Sequence, residues 1–165
     1  DGIVFSPENG QTVEYVFTDK CNPDTGRGNG WLMDGTRGRV RGITSTGDWS
    51  ATNSLSGMTI RKVSDLKLIG TRMLNNLQHG VHLIECNNVL VQGVTCSGNG
   101  SGSMSGSYHG IVTDKCDRVM LRDNRSGQID NYANTQGYGY FNGAFPSTNV
   151  TREGNDFTGN IFPTP

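Results

Sequence analysis

An all-β fold, a parallel β-helix of about six coils, is what this sequence predicts, and three observations predict it. The first is repetition. The stretch HGVHLIECNNVLVQGVTCSGN at 79–99 returns thirty residues later as HGIVTDKCDRVMLRDNRSGQ. Both copies run His-Gly-aliphatic, place a Cys six residues after the Gly, and then alternate apolar with polar residues. The second is composition. Of 165 residues only 33% are hydrophobic and 24 are glycine, a balance that disfavours helical bundles and favours short strands joined by turns. The third is the period. Copies open at Gly2, Gly30, Gly57, Gly80, Gly110 and either Gly137 or Gly139, at intervals of 23 to 30 residues. Propeller blades need roughly 40–45 residues, and leucine-rich repeats need a regular Leu/Asn consensus that is absent here. A coil of this length adds one strand to each of several parallel sheets, so that like residues stack at the ~4.8 Å strand spacing.

Each coil is justified in turn. Gly2 opens GIVFSPENGQTVEYV loosely, and Gly30 opens GWLMDGTRGRVRGIT, whose VRGIT is aligned with VQGVT at 91–95. Gly57 opens GMTIRKVSDLKLIGT, in which Met58, Ile60, Val63, Leu66, Leu68 and Gly70 take the offsets of Val81, Leu83, Cys86, Val89, Val91 and Gly93. The copy at Gly110 repeats them with Ile111, Cys116, Val119 and Leu121, and GYGYFNGAFPSTNV supplies the last coil in either of two registers. Strand side chains alternate faces. Offsets one and three (Ile3, Trp31, Met58, Val81, Ile111; Phe5, Met33, Ile60, Leu83, Thr113) therefore point inward, and offsets two and four point out. The glycines are placed at corners where φ is positive. The filler GNGSGSMSGSYH at 98–109 reads as a loop let out from one corner, since such loops lengthen at little cost.

The chain reads as a single domain, 1–165, the C-terminal part of a longer chain, with 151–165 as an end cap. A net charge of −1 gives no basic footprint for nucleic acid or an anionic membrane, and no apolar run approaches the ~20 residues of a membrane span. Cys86 and Cys116 share one offset and read as two small buried residues, with a disulfide between them allowed but not required; Cys21 and Cys96 have no evident partners. No Cys/His spacing suits a zinc site, and no cofactor or metal is expected. Asn99, Asn124 and Asn149 open glycosylation sequons of a kind frequent by chance in so Asn- and Ser-rich a chain.

The GV-x-L-x-x-C-x-x-V-x-V-x-G-V-T frame at 80–95 and its copies resemble the right-handed parallel β-helix superfamily. That superfamily includes pectate lyases, polygalacturonases, alginate epimerases and bacteriophage tailspikes. The resemblance covers nearly the whole chain, and no close match to the Asp-His signatures of polygalacturonases or the Asp-Pro-His-Glu of epimerases is present. It implies long carbohydrates as ligands along the side of the helix, at an extracellular or virion surface, and a homotrimer of side-by-side helices. Fold alone does not assign activity.

Outward positions of the first sheet bring together the residue types that glycan chemistry uses. Asp34, Arg61, Lys62, His82, Glu85, Asp114 and Lys115 fall on one face of four successive coils, and His79 and His109 precede adjacent corner glycines. Glu85 and Asp114, with Asp34, are the candidate catalytic carboxylates, because glycoside hydrolysis needs two carboxyl groups about 5–9.5 Å apart. His79, His82, His109, Arg61 and Lys115 are the candidate substrate-binding groups; a lyase needs a base and a cation on the sugar's carboxylate. The alternative is that opposite charges such as Glu85 and Lys62 or Lys115 merely pair across strands. The reading is recognition and depolymerisation of a polysaccharide, by hydrolysis or elimination, with a glycan-binding module or a structural trimeric spike segment as the alternatives. The outward apolar Leu32, Ile84 and Val112 are assigned to lateral contacts between subunits.

Overall fold

A computed structural model describes residues 1–24, 27–102, 106–129, 133 and 135–162. Among these the chain is all β, and every strand pairing is parallel. Three sheets wrap one core. The first stacks six strands: β1 (Ile3–Phe5), β4 (Trp31–Asp34), β8 (Met58–Arg61), β11 (Val81–Ile84), β14 (Ile111–Asp114) and β17 (Tyr140–Asn142). The second stacks β2 (Thr12–Glu14), β5 (Arg39–Arg41), β9 (Val63–Ile69), β12 (Asn87–Gln92), β15 (Asp117–Arg122) and β18 (Thr148–Glu153). Here β3 (Phe17–Asp19) and β6 (Thr44–Thr46) continue the first two rungs. The third holds four strands, β7 (Trp49–Ala51), β10 (Arg72–Leu74), β13 (Thr95–Ser97) and β16 (Arg125–Gly127), extended by single bridges at Asp24 and Asp156. Two sheets of six rungs and one of four make about five complete turns.

The inward ladders fall where the repeat places them. Trp31, Met58, Val81 and Ile111 are in register and fully buried, as are Met33, Ile60, Leu83 and Thr113 beside them. Each such aliphatic side chain contributes roughly 1.5–3 kcal/mol by leaving water. The first coil is thinner, with Ile3, Phe5, Val13 and Val16 only partly buried against the core. The last coil is fixed at Gly139, because Tyr140 pairs with Ile111.

Two expectations are corrected. The corner glycines Gly2, Gly30, Gly57, Gly80, Gly110 and Gly139 are not left-handed. At the first five the next coil passes too close for a side chain, a Cβ on Gly80 lying 2.6 Å from the Gly110 carbonyl and 2.7 Å from Cys96 Sγ; at Gly139 the obstacle is Phe157, 2.6 Å away. Left-handed backbone occurs in separate stacks, one being Tyr15, Gly42, Asp65, Asn88, Arg118 and Asn149, where each successive second-sheet strand bends. Secondly, VRGIT does not align with VQGVT. Val40 pairs with Val63, and Ser45 with Leu68, so the coil carries extra residues around Gly35–Gly38 and Ser45 takes the offset of Val91. The second-sheet strand of the last coil, β18, runs to Glu153. The segment after it packs on the last rung through Ser126 N–H to Asp156 O (2.9 Å) and Phe162 N–H to Gly137 O (2.7 Å).

Two ladders of buried amides went unread in the sequence. Asn53 Nδ2 donates to Asn76 Oδ1 (3.0 Å), Asn76 Nδ2 to Asn99 Oδ1 (2.9 Å), and Asn99 Nδ2 to Gln136 Oε1 (2.7 Å). Asn124 Nδ2 donates to Asn155 Oδ1 at 2.9 Å. Asn99 and Asn124 are fully buried with their amides committed, so two of the three sequons are structural; only Asn149 is exposed. Cys86 and Cys116 stack in the core as free thiols, the Cys86 N–H donating to Cys116 Sγ at 3.4 Å.

Candidate functional site

The face of the first sheet gathers the three histidines. His79 and His109 occupy the position before successive corner glycines, and Tyr138 occupies it in the next coil. Each accepts through Nδ1 from the coil above: His109 N–H donates to His79 Nδ1 (3.1 Å), and Tyr138 N–H donates to His109 Nδ1 (3.2 Å). This holds both rings as neutral acceptors. Burial above all, with the electrostatic influence of the neighbouring His82 and, for His79, of His109, lowers His79 to about 3 and His109 to about 4. Their rings, 5.5 Å apart, belong to an aromatic wall. Tyr108 meets His79 edge-on at 5.0 Å, Phe141 lies 4.5 Å from His109, and Tyr138 stacks on Phe141 at 5.5 Å and 10°. Phe162, from the segment after the coils, closes on Tyr138 at 5.3 Å.

At the rim of this wall, His82 on β11 meets Asp114 on β14. Their Nε2 and Oδ2 are 2.8 Å apart, and both side chains keep partial exposure, 22% and 19%. The other carboxylate oxygen of Asp114 accepts from Phe145 N–H at 3.4 Å. With Nε2–H directed at the carboxylate, Nδ1 of His82 carries the free lone pair, the arrangement by which a carboxylate orients a histidine base.

Glu85 and Asp114 lie on adjacent strands one position out of register, Glu85 N–H donating to Asp114 O at 2.8 Å. Asp114 is the partner of Ile84. Glu85 lies one residue on, in a left-handed corner (φ 53°) stacked with Lys62 and Lys115. Glu85 is 3.6 Å from Lys62 Nζ and 3.8 Å from Lys115 Nζ, with all three side chains exposed. Such pairs contribute little, and they give Glu85 the ladder partners that simple pairing would choose. Asp34 shares the row of Asp114 but stands three strands away, and its Oδ1 accepts from Thr36 N–H at 2.9 Å. Arg61 is exposed in that row between them. Lys115 Nζ also lies 4.5 Å from the centre of the Phe145 ring.

Among the outward apolar residues, Leu32 and Ile84 are half-buried, but Val112 is 3% exposed, in register between His82 and Phe141. Val112 is thus interior to this chain and not available to a neighbouring subunit. Tyr108, Tyr138, Phe141 and Phe145 were not singled out in the sequence. Taking the last coil from Gly139 puts Tyr138 in the histidine row and Phe141 opposite Val112, a signal that was present once the register is settled. No group of His, Cys, Asp and Glu suited to hold a metal occurs among the described residues.

The stacked sheets and side-chain ladders define a parallel β-helix protein. No protein-family model matches the sequence, and no curated protein matches it. Among solved structures, the chain is similar to the enzymatically active domain of tailspike protein 2 of bacteriophage CBA120, with a TM-score of 0.45 and 15% identity. The match covers 82% of this chain and 25% of that one, so the chain spans about a quarter of that domain's length. No helix among the described residues is long and apolar enough to cross a membrane.

Proposed function

We propose that the protein recognises and depolymerises a polysaccharide on the face of its first sheet, at an extracellular or virion surface. The observation that carries this reading is the His82–Asp114 pair, 2.8 Å apart and open to solvent at the edge of an aromatic wall. Asp114 orients the imidazole, and His82 Nδ1 is the general base. Glu85 is engaged by lysines and Asp34 stands about three strand spacings, ~14 Å, from Asp114. The two-carboxylate arrangement of a hydrolase is therefore less well supported than elimination driven by one base. In that reaction His82 takes the C5 proton beside the sugar's carboxyl group, the C4–O glycosidic bond breaks as the C4–C5 double bond forms, the leaving oxygen takes a proton from water, and Lys115 or Arg61 offsets the charge that develops on the carboxyl group. His79 and His109, neutral and fixed, form the wall against which the sugar chain lies.

Incubation with a panel of bacterial polysaccharides, read by reducing ends and by absorbance of unsaturated uronate products, tests the reading. Asp114→Asn and His82→Gln are expected to cost about 10²–10⁴ in turnover, the usual share of a general base, with Glu85→Gln near wild type. Full activity in both dyad variants removes the site from this face, and tight binding with no turnover in the wild type favours a binding module.

A further inference from the structure

We propose that Phe145 is a stacking platform for a pyranose ring, set beside the His82–Asp114 pair by the 142–147 turn. The inference rests on reading that pair as a polysaccharide site, and it adds a contact residue from outside the sheet.

Phe145 is a large apolar side chain left 60% exposed. Isolated exposed apolar residues are common, so exposure alone says little. What distinguishes this ring is how firmly the turn beneath it is tied to the dyad. Asn142 Oδ1 accepts from Ser147 N–H at 2.8 Å, closing the turn on itself. Ser147 Oγ accepts from Cys116 N–H at 2.9 Å, and Phe145 O accepts from Lys115 N–H at 2.8 Å, anchoring it to the preceding coil. Phe145 N–H reaches the Asp114 carboxylate, which lies over Gly143 so closely that a Cβ there would stand 2.8 Å from Oδ2. Pro146 follows and restricts the Phe145 backbone to extended conformations. The ring therefore stands on a backbone held on both sides, whose N–H shares the Asp114 carboxylate with His82.

A flat apolar surface paid for in advance by such bracing suits the C–H face of a sugar ring, whose hydroxyls would then point past the ring edge toward Asp114 and Lys115. Lys115 Nζ, 4.5 Å from the ring centre, covers one face of the ring, so the sugar would lie on the other. Preorganisation of this kind raises affinity by lowering the ordering cost of binding.

The test is calorimetric titration of cellohexaose, maltohexaose, hexagalacturonate and hexamannuronate into wild type, Phe145→Ala and Phe145→Trp. Melting curves establish that each variant is folded. For whichever hexasaccharide the wild type binds best, Phe145→Ala is expected to weaken affinity at least tenfold, and Phe145→Trp to restore it. Where turnover is measurable, the loss falls mainly on KM. Affinity within twofold of wild type in Phe145→Ala overturns the platform, while turnover that still depends on His82 keeps the dyad. A tenfold loss of affinity without turnover in the wild type keeps the platform and removes the dyad's catalytic role. Failure of the wild type to bind any of the four at millimolar concentration removes both.

Discussion

His79 and His109 each give Nδ1 to a backbone N–H of the coil above, and protonation would set N–H against N–H. An unfolded histidine takes up its proton below about pH 6.5, whereas these resist until about 3 and about 4. Between those limits the unfolded chain binds more protons, so stability falls as pH falls, by up to about 1.4 kcal/mol per pH unit for each ring. Above pH 7 neither contributes to the slope. Melting temperature followed from pH 7 to 4 should drop steadily in the wild type and more shallowly in a His79→Gln, His109→Gln variant; parallel profiles would sink the assignment. At this scale the sequence was informative about position and poor about partners. It placed all three histidines on one face, but a two-residue alternation cannot see that Glu85 has already turned the corner, where it stacks with Lys62 and Lys115. It also read the corner glycines as left-handed, when the cause is the carbonyl of the next coil.

Strands of three to seven residues are held by what stacks between them as much as by their own ladders. Asn76 is the middle of the buried amide row, giving Nδ2 to Asn99 and accepting at Oδ1 from Asn53 Nδ2 and N–H. Truncating it takes the acceptor from Asn53 N–H and the Nδ2 donor from Asn99, while Asn53 Nδ2 keeps Ser50 Oγ and Ala51 O and Asn99 Oδ1 keeps the residue-76 N–H. Asn76→Ala should therefore lower stability by about 1–3 kcal/mol in denaturant titration, the usual loss for a buried hydrogen-bonding group removed from its partners. Thr148→Ala, exposed on the second sheet, should cost well under 1 kcal/mol for its hydrogen bond to Asp117. Equal losses would show that the amide row is not a stabilising element. The apolar ladders were legible because their offsets recur in three consecutive copies. The amide rows were not, because Asn also marks turns, and in a chain this polar the buried and the turn-forming asparagines look alike. The coil opened by Gly30 was misaligned for a related reason: its extra residues around Gly35–Gly38 sit between two strands, and a short motif such as VRGIT slides easily across them.

For the molecule as a whole, the fold class and the six starts of the coils were readable, and the manner of association is the part still argued from surface chemistry. Homotrimerisation through the helix sides remains a proposal. With Val112 buried, it rests on Leu32 and Ile84, together with the exposed Tyr15 and Phe17 of the first coil. Light scattering should give three times the 17.8 kDa chain mass, reduced to one by Ile84→Lys; a monomer at high concentration rules the assembly out. The corner glycines carry a last consequence. Because Gly2, Gly30, Gly57, Gly80 and Gly110 each face the carbonyl of the glycine that opens the next coil, and because the ladders repeat with the same register from one rung to the next, the chain has a unit of heredity larger than the residue. Removing or copying a stretch from one such glycine to the next leaves every stack aligned, while a change of half that length mismatches them all. A lineage of such proteins would grow taller or shorter in whole storeys.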